Sequence, residues 1–146
     1  MEKIASFQKD HDKLQPGLYA QTDKNLITTF DLRFKKPNAG DYITPKALHT
    51  IEHLLATVLR NSEKKDDIVY FGPMGCRTGF YLLTLRLSFE EVLALLKESI
   101  KKALALEEVP GSKREECGNY LEHDLAAARE ELRNYLLILD GVEAHP

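Results

Sequence analysis

The sequence predicts a single α+β domain in which a mostly antiparallel sheet packs against helices. Short segments alternate between apolar and polar residues, which is typical of half-buried strands. Longer segments carry an apolar residue every three or four positions, which is typical of amphipathic helices. These segments follow the order strand, helix, strands, helix, helix. The 146 residues match one domain that is large enough to bury its own core, so we assign residues 1–146 to one unit.

The composition limits the kinds of binding partner and the cellular compartment that we expect for this protein. Lys and Arg total 20 against 23 Asp and Glu, a net charge of −3, so we expect neither nucleic acid nor a membrane surface as a partner. The charged N-terminus does not resemble a signal peptide, and no apolar run approaches the roughly 20 residues that span a bilayer. We therefore expect a cytoplasmic protein. In a reducing cytoplasm Cys76 and Cys117 are expected to be ligands, nucleophiles or inert buried thiols, not a disulfide.

The first half of the chain predicts one strand and one helix. Residues 1–16 have no clean period, whereas 26–34 alternates and predicts a strand with one apolar face. Arg33 lies on the opposite face, where it can meet a ligand or pair with an acidic residue. Thr44 as N-cap and Pro45 at the first helical position begin the helix. Its predicted apolar stripe is Leu48, Ile51, Leu55, Val58 and Leu59.

The middle of the chain predicts two strands around a glycine-rich turn. Residues 68–71 form a short apolar strand candidate, 72–79 is too rich in Gly for regular structure, and 80–87 resumes a β pattern. Ser88 with Glu91 makes a capping box that begins a second helix. Its predicted stripe is Val92, Leu93, Leu96, Ile100, Ala103 and Leu104.

The last part of the chain predicts a loop and a third helix. Residues 107–116 are polar and contain a Pro-Gly pair, which is typical of a loop. Apolar residues at helical spacing predict a helix over 119–137, which would place His123 on it. The terminal residues are interpreted as a tail, in which His145 has no role.

The most specific local motif is His49-Thr50-Ile51-Glu52-His53. Two histidines four residues apart lie one turn apart on the same helix face, with about 5–6 Å between their Cβ atoms. At this spacing two imidazoles can hold one divalent metal, with Glu52 beside them to move protons. The alternative is a solvated helix face that happens to carry histidines. Arg60 lies two turns beyond His53 and either lines the same cleft or is an ordinary surface residue near the helix C-terminus.

A catalytic metal site usually has three protein ligands and one open position. Cys117 is preferred as the third ligand, because Gly118 would let the backbone approach closely and helix N-terminal amides would favour a thiolate. Spacing alone does not settle this choice. The other candidates are His123, His11 and the carboxylates.

Cys76 lies in the glycine-rich turn between the two predicted strands. Gly75 and Gly79 imply a tight turn with exposed amides, which can cradle an anion or activate a thiol. A thiolate near a Lewis-acid metal can shuttle protons or attack an electrophile. The alternative is a cysteine packed as a small residue between strands.

Taken in order, these pieces resemble the LuxS family of S-ribosylhomocysteine lyases. A lone HxxEH pattern is a weak signal, whereas the ordered set with both cysteines in place is highly specific. The matching stretches cover most of the chain up to the last helix. They are Ser6-Phe7, Asp10-His11, 30–34, 49–56, Arg60, 73–81 and Cys117-Gly118.

The resemblance implies a homodimer with active sites at the subunit interface. Each site would hold one Fe²⁺, for which Zn²⁺ or Co²⁺ can substitute, and no organic cofactor. By matching position, the metal ligands would be His49, His53 and Cys117, and the two acid/base residues would be Glu52 and Cys76. The substrate-contacting residues would be Ser6, His11, Arg33 and Arg60.

The implied reaction cleaves the thioether of S-ribosylhomocysteine. Because the thioether is not activated for hydrolysis, the carbonyl must first move along the sugar, with a Lewis acid stabilising each enediolate. Two groups on different sides of the substrate would carry the protons. Once the carbonyl lies β to the sulfur-bearing carbon, β-elimination expels homocysteine and leaves 4,5-dihydroxypentane-2,3-dione, the precursor of a quorum-sensing signal.

The sequence departs from one common form of the family near Cys76. An acidic residue usually stands six positions before this cysteine and a serine four before it, whereas this chain has Tyr70 and Gly72. We therefore assign no substrate-binding carboxylate to position 70. Lys9 replaces a commonly apolar residue and is interpreted as surface variation.

Two other functions compete with the lyase. A small metallopeptidase with the inverted zinc motif would use Glu52 to activate a metal-bound water, but it requires a downstream carboxylate ligand and leaves Cys76 and Cys117 without a role. A non-catalytic, metal-stabilised dimer module would need a missing catalytic residue. Both Glu52 and Cys76 are present.

Overall fold

A computed structural model describes residues 1–142 and confirms the α+β class. His145 therefore lies outside the described residues. Four antiparallel strands form one sheet in the order β1-β2-β4-β3. No helix within residues 1–142 combines the length and the apolar character needed to cross a membrane. In chain order the elements are α1 (Ala5–Gln8), β1 (Gly17–Thr22), β2 (Ile27–Arg33), α2 (Pro45–Arg60), a 3-10 turn (Lys65–Asp67), β3 (Ile68–Pro73), β4 (Gly79–Leu85), α3 (Phe89–Leu104) and α4 (Leu125–Asp140).

One face of the sheet forms the floor of the hydrophobic core. Phe30 and Leu32 of β2 are fully buried and pair with Leu82 and Phe80 of β4. This confirms the alternation predicted for the strand from Phe30 onward, because its apolar residues share the face that the core covers. The prediction was wrong for Leu26, which precedes the strand with a φ of +65° and is 73% exposed. The opposite face carries Asp31 and Arg33, which become important for the site.

Strand β1 was not predicted from the sequence. Only its first two residues, Gly17 and Leu18, are buried, and the other four are exposed. A strand with so little buried surface has no alternating pattern to detect. It forms because β2 offers a row of backbone partners along its whole length, from Gly17↔Arg33 to Thr22↔Thr28.

The helices α2 and α3 begin where their capping residues predict. The Thr44 hydroxyl accepts a hydrogen bond from the Ala47 amide, and Ser88 and Glu91 form the reciprocal capping box. The buried face of α2 is rotated slightly from the predicted stripe, because this helix packs against strand β3 as well as the helices α3 and α4. Its buried residues are Ala47, Thr50, Ile51, Leu54, Leu55 and Leu59.

The prediction for the start of the last helix was wrong. Helix α4 begins at Leu125, and the Asp124 side chain caps it by accepting from the Ala127 amide. Leu121, which fits the helical spacing, is 73% exposed. The backbone of the preceding segment bonds instead to side chains of α2, which competes with helix formation. Cys117 is therefore not at a helix N-terminus, and His123 is not on the helix.

The turn between β3 and β4 is shorter than the predicted irregular stretch. Strand β3 continues through Gly72 and Pro73, and β4 already begins at Gly79. A Cβ atom on Gly79 would lie 2.1 Å from the carbonyl oxygen of Leu32, so only glycine allows β2 and β4 to pair here. The turn thus places Cys76 at the end of the sheet where Arg33 lies.

Candidate metal centre and cysteine cavity

The structure brings four possible metal ligands together. His49 and His53 extend from α2, and Cys117 and His123 come from the segment before α4. One donor atom from each residue lies within 4.8 Å of the others. The prediction that the paired histidines meet Cys117 in space is confirmed.

Three of these donors fit a divalent metal ion. The Nε2 atoms of His49 and His53 are 3.1 Å apart, and Cys117 Sγ lies 3.4 Å from the first and 3.8 Å from the second. A tetrahedral ion with bonds of about 2.0–2.1 Å to nitrogen and 2.3 Å to sulfur separates its donors by about 3.3–3.6 Å. The triangle of donors is therefore close to that geometry, and three protein donors is the number that catalytic sites use.

Backbone carbonyls orient both histidines toward this triangle. His49 Nδ1 donates to the Glu122 carbonyl at 2.8 Å, and His53 Nδ1 donates to the Pro110 carbonyl at 2.9 Å. A carbonyl only accepts, so each ring carries its proton on Nδ1 and directs the Nε2 lone pair toward the ligand position. The neighbouring Gly111 has a φ of +67°, a conformation that favours glycine.

Neither reason given for preferring Cys117 is supported by the structure, although the residue does reach the cluster. A Cβ atom on Gly118 would meet no heavy atom within 4 Å, so this glycine does not mark a close backbone approach. The Cys117 amide instead donates to the Lys113 carbonyl at 3.0 Å, which fixes a turn in the loop. Cys117 reaches the site through that turn and not through helix amides.

His123 lies beside the three donors. The prediction that it would lie on the third helix was wrong. Its ring stacks on that of His49, with centroids 4.1 Å apart and an interplanar angle of 23°. Burial, followed by the nearby rings of His49 and His53, lowers the pKa of His123 below its usual value, which favours a neutral imidazole. No local sequence signal separates this position from a third-helix residue.

A second group of predicted residues meets around Cys76. Ser6, His11, Arg33 and Cys76 line one cavity at the end of the sheet. Cys76 is exposed in the turn, and its Sγ atom lies 3.1 Å from the Thr78 hydroxyl. Three of the four predicted substrate contacts therefore share a cavity with a predicted acid/base residue.

Arg33 is held at this cavity by a buried ion pair. The residue is only 1% exposed, and its guanidinium donates from Nη2 to Asp31 Oδ2 at 2.7 Å and from Nη1 to the Thr78 hydroxyl at 2.8 Å. Lys9 Nζ also lies 2.7 Å from Asp31 Oδ2. Lys9 is therefore not surface variation as predicted, because it is a second cation on one buried carboxylate.

The metal-ligand cluster and the Cys76 cavity are separate in the described part of the chain. None of the four cluster residues lines the cavity, and neither does Glu52, which is half-buried on α2. Arg60 is exposed, lines neither feature, and donates from Nη2 to the Val69 carbonyl at 3.4 Å. The structure does not bring these two predicted residues to Cys76.

Tyr70 and Gly72, the two residues at which the sequence departs from the resembled pattern, depend on each other sterically. A Cβ atom on Gly72 would lie 1.9 Å from the Tyr70 hydroxyl, because the tyrosine ring folds over the glycine two residues along the strand. Tyr70 is 48% exposed and lies outside the residues that line the Cys76 cavity. The ring thus occupies the space that a serine side chain at position 72 would need.

Fold and site together define a small α+β protein with a His₂Cys metal-binding group. The model of the S-ribosylhomocysteinase (LuxS) family matches residues 4–143, and the chain belongs to this family. The chain is 45% identical to the S-ribosylhomocysteine lyase of Borreliella afzelii, over 98% of this chain and 96% of the relative. It is 46% identical to that of Phocaeicola vulgatus, over 93% and 89%, and 40% identical to that of Finegoldia magna, over 98% and 95%.

Proposed function

We propose that the protein is a metal-dependent S-ribosylhomocysteine lyase. It would cleave S-ribosylhomocysteine to L-homocysteine and 4,5-dihydroxypentane-2,3-dione by carbonyl migration and β-elimination. The observation that carries this proposal is the cluster of His49, His53 and Cys117 in a chain that belongs to the LuxS family. The metallopeptidase alternative leaves Cys117 unexplained, although its sulfur lies 3.4 Å from the Nε2 atom of His49.

The metal would be held by His49, His53 and Cys117. A divalent ion, which we propose to be Fe²⁺ with Zn²⁺ or Co²⁺ as substitutes, would act as a Lewis acid toward the carbonyl and hydroxyl oxygens of the sugar. The carbonyls of Pro110 and Glu122 keep both imidazoles in the tautomer that binding requires. No organic cofactor is needed, because the steps are proton transfers followed by loss of a thiolate.

Glu52 and Cys76 would move the protons. The Glu52 carboxylate would accept a proton from carbon on the side of the sugar that faces α2, and Cys76 would act from the opposite side. Thr78 would support this role. Its hydroxyl oxygen accepts from Arg33, so its hydrogen is free to be donated to Cys76 Sγ at 3.1 Å and would hold the sulfur in place.

Ser6, His11 and Arg33 would bind and orient the substrate in the Cys76 cavity, and Arg60 would contact it from α2. The assignment of the first three is supported by their shared cavity. We also propose a homodimer in which the cavity of one subunit covers the metal cluster of the other. This arrangement is supported by the separation of cluster and cavity in a single chain, since one substrate must contact both.

We propose a cytoplasmic location for this enzyme. Cys76 and Cys117 are both free thiols, and each assigned role requires a reduced sulfur. The cytoplasm is the compartment that keeps thiols reduced.

Turnover of the anaerobically purified, Fe²⁺-loaded protein tests the proposed reaction. We expect one free thiol and one dione for each S-ribosylhomocysteine consumed. Glu52→Gln and Cys76→Ser should each lower kcat by about 10²–10⁴-fold while the metal content stays unchanged, because each removes a proton-transfer group and no ligand. Fully metal-loaded wild-type protein that releases no homocysteine would refute the assignment.

A subunit-mixing experiment tests the proposed interface. Heterodimers of one Glu52→Gln chain and one Cys76→Ser chain are purified through two different affinity tags. If each site takes Glu52 from one subunit and Cys76 from the other, one of the two sites is intact and about half of the wild-type activity returns. If each site belongs to one subunit, both sites carry a defect, and the heterodimer is as inactive as its parents.

A further inference from the structure

We propose that His123 is a positioning residue that donates a hydrogen bond from its Nε2–H group to the Cys117 thiolate and is not itself a metal ligand. The inference rests on the proposed metal centre and goes beyond it, because it assigns a role to a histidine outside the three ligands. His123 Nε2 lies 3.9 Å from Cys117 Sγ, within the range for a hydrogen bond to sulfur.

The stacked geometry argues against His123 as a fourth ligand. The rings of His49 and His123 are within 23° of parallel and 4.1 Å apart. A histidine binds a metal through a lone pair in the plane of its ring, at about 2.0–2.1 Å. Two nearly parallel planes at this separation cannot both contain one ion at that distance, so His49 occupies the ligand position and His123 packs beside it.

Helix α2 holds His123 from the other side of the ring. The Thr50 hydroxyl lies 3.0 Å from His123 Nδ1 and accepts from the Asp124 amide at 2.9 Å. Thr50 is fully buried, so this contact is protected from water. The hydroxyl hydrogen can therefore be donated to Nδ1, which makes Nδ1 an acceptor.

The charge on Cys117 selects the tautomer of His123. A thiolate bound to a metal accepts hydrogen bonds and would repel an Nε2 lone pair. Because Nδ1 receives the Thr50 hydrogen, the ring carries its proton on Nε2. A continuous chain of donors results: the Asp124 amide to Thr50, Thr50 to His123, and His123 to the Cys117 sulfur.

This chain would hold the sulfur in place and withdraw electron density from it. Cys117 lies in a loop between α3 and α4, and a loop position needs a contact of this kind to fix a ligand. Partners that orient a ligand from outside the coordination sphere typically change metal affinity by about 10–100-fold when they are removed.

Nitrogen NMR of the wild-type protein tests the proposal without any substitution. Long-range ¹H–¹⁵N spectra of the Zn²⁺-loaded protein report the proton position on each imidazole. We expect the proton that His123 donates to the sulfur on Nε2, and those of His49 and His53 on Nδ1. A His123 proton on Nδ1, or a metal-bound His123 nitrogen, would overturn the proposal.

Co²⁺ spectra of two His123 variants test the effect on the sulfur. His123→Phe keeps a stacked ring without the donor, and His123→Gln keeps an N–H group near the position of Nε2. We expect the sulfur-to-cobalt charge-transfer band to move to lower energy in the Phe variant, because the thiolate becomes richer in electrons, and to stay near its wild-type position in the Gln variant.

Two further measurements distinguish a positioning role for His123 from direct binding of the metal. The ligand-field bands of both variants should keep tetrahedral intensities, and the Phe variant should bind Co²⁺ about 10–100-fold more weakly. An unmoved charge-transfer band in His123→Phe, or ligand-field bands that report a lost ligand, would contradict the proposal. None of these readings uses turnover, so a failure of the lyase assignment is distinguishable from a failure here.

Discussion

The metal-ligand cluster and the Cys76 cavity are built in different ways. The cluster is built on His49 and His53, which lie one helical turn apart. Backbone carbonyls of the loop before α4 orient both rings. The cavity depends on strand register, which places Arg33 opposite Gly79, and on one buried carboxylate that holds two cations. Changes to the cluster should therefore appear in metal content, whereas changes to the cavity should appear in turnover and in the free energy of unfolding.

The largest expected difference is in the metal content of two variants, Cys117→Ala and His11→Ala. The first removes a proposed ligand, so bound metal should fall from one ion per chain to nearly none, and homocysteine release should be lost with it. The second lies in the cavity and should keep the metal while lowering kcat/KM. Metal analysis of both purified variants measures this difference, and full metal binding by Cys117→Ala would instead favour the peptidase alternative.

The buried carboxylate should matter more to stability than the cation at its edge. Asp31→Asn leaves the Arg33 guanidinium buried without its charge partner, which should cost about 3–5 kcal/mol in the free energy of unfolding. Lys9→Met is the matched control, because Lys9 is 31% exposed and such pairs contribute about 0–1 kcal/mol. Urea unfolding of both variants measures the effect. Equal losses would contradict this ranking, because Lys9 would then account for all the stabilisation that the carboxylate provides.

Two glycines, one in the β3–β4 turn and one at the start of β4, should differ sharply in how much stability an alanine substitution costs. Gly79→Ala would place a Cβ atom 2.1 Å from the Leu32 carbonyl oxygen, so we expect a loss of about 1–3 kcal/mol and a shifted β2–β4 pairing. Gly75→Ala meets no heavy atom within 4 Å and should change stability by about 0.5 kcal/mol or less. Thermal unfolding compares them, and a Gly75→Ala variant as unstable as Gly79→Ala would show that the turn itself is the constraint.

The smallest effect is expected at the Tyr70–Gly72 pair. Gly72→Ser should push the exposed tyrosine ring aside at a cost of about 1 kcal/mol or less, because the far end of that side chain can move. Adding Tyr70→Ala should remove most of this cost, so the two changes should not be additive. Chemical unfolding of the single and double variants measures the coupling, and strictly additive values would contradict the contact.

Local signals predicted the helices better than the connections between elements. Thr44 and the Ser88–Glu91 box marked two helix starts, because a cap is a contact between neighbours in sequence. The late start of α4 was missed because His49 and Thr50 bind the backbone of the segment before it, across more than 70 positions. Strand β1 was missed because its partner, and not its own pattern, makes it a strand.

The site residues show the same difference between features that local sequence predicts and features that depend on distant contacts. The four-residue spacing predicted the histidine pair, because both residues lie on one helix face. Cys117 was preferred over His123 partly on a helix end that does not exist. The stacked position of His123 is a different reason for the same proposal, and it depends on contacts that the sequence does not report. The pairing of Lys9 with Asp31 joins the N-terminal segment to the sheet, and no periodicity reports such a contact.

The carbonyls that orient the two histidines have a consequence for how this protein can change over generations. Every residue carries a main-chain carbonyl, so the contacts from positions 110 and 122 do not depend on which side chains stand there. The residue types at positions 110 and 122 are then free to vary as long as the loop keeps its path. Its length is the inherited constraint, and insertions or deletions should be purged where substitutions are tolerated.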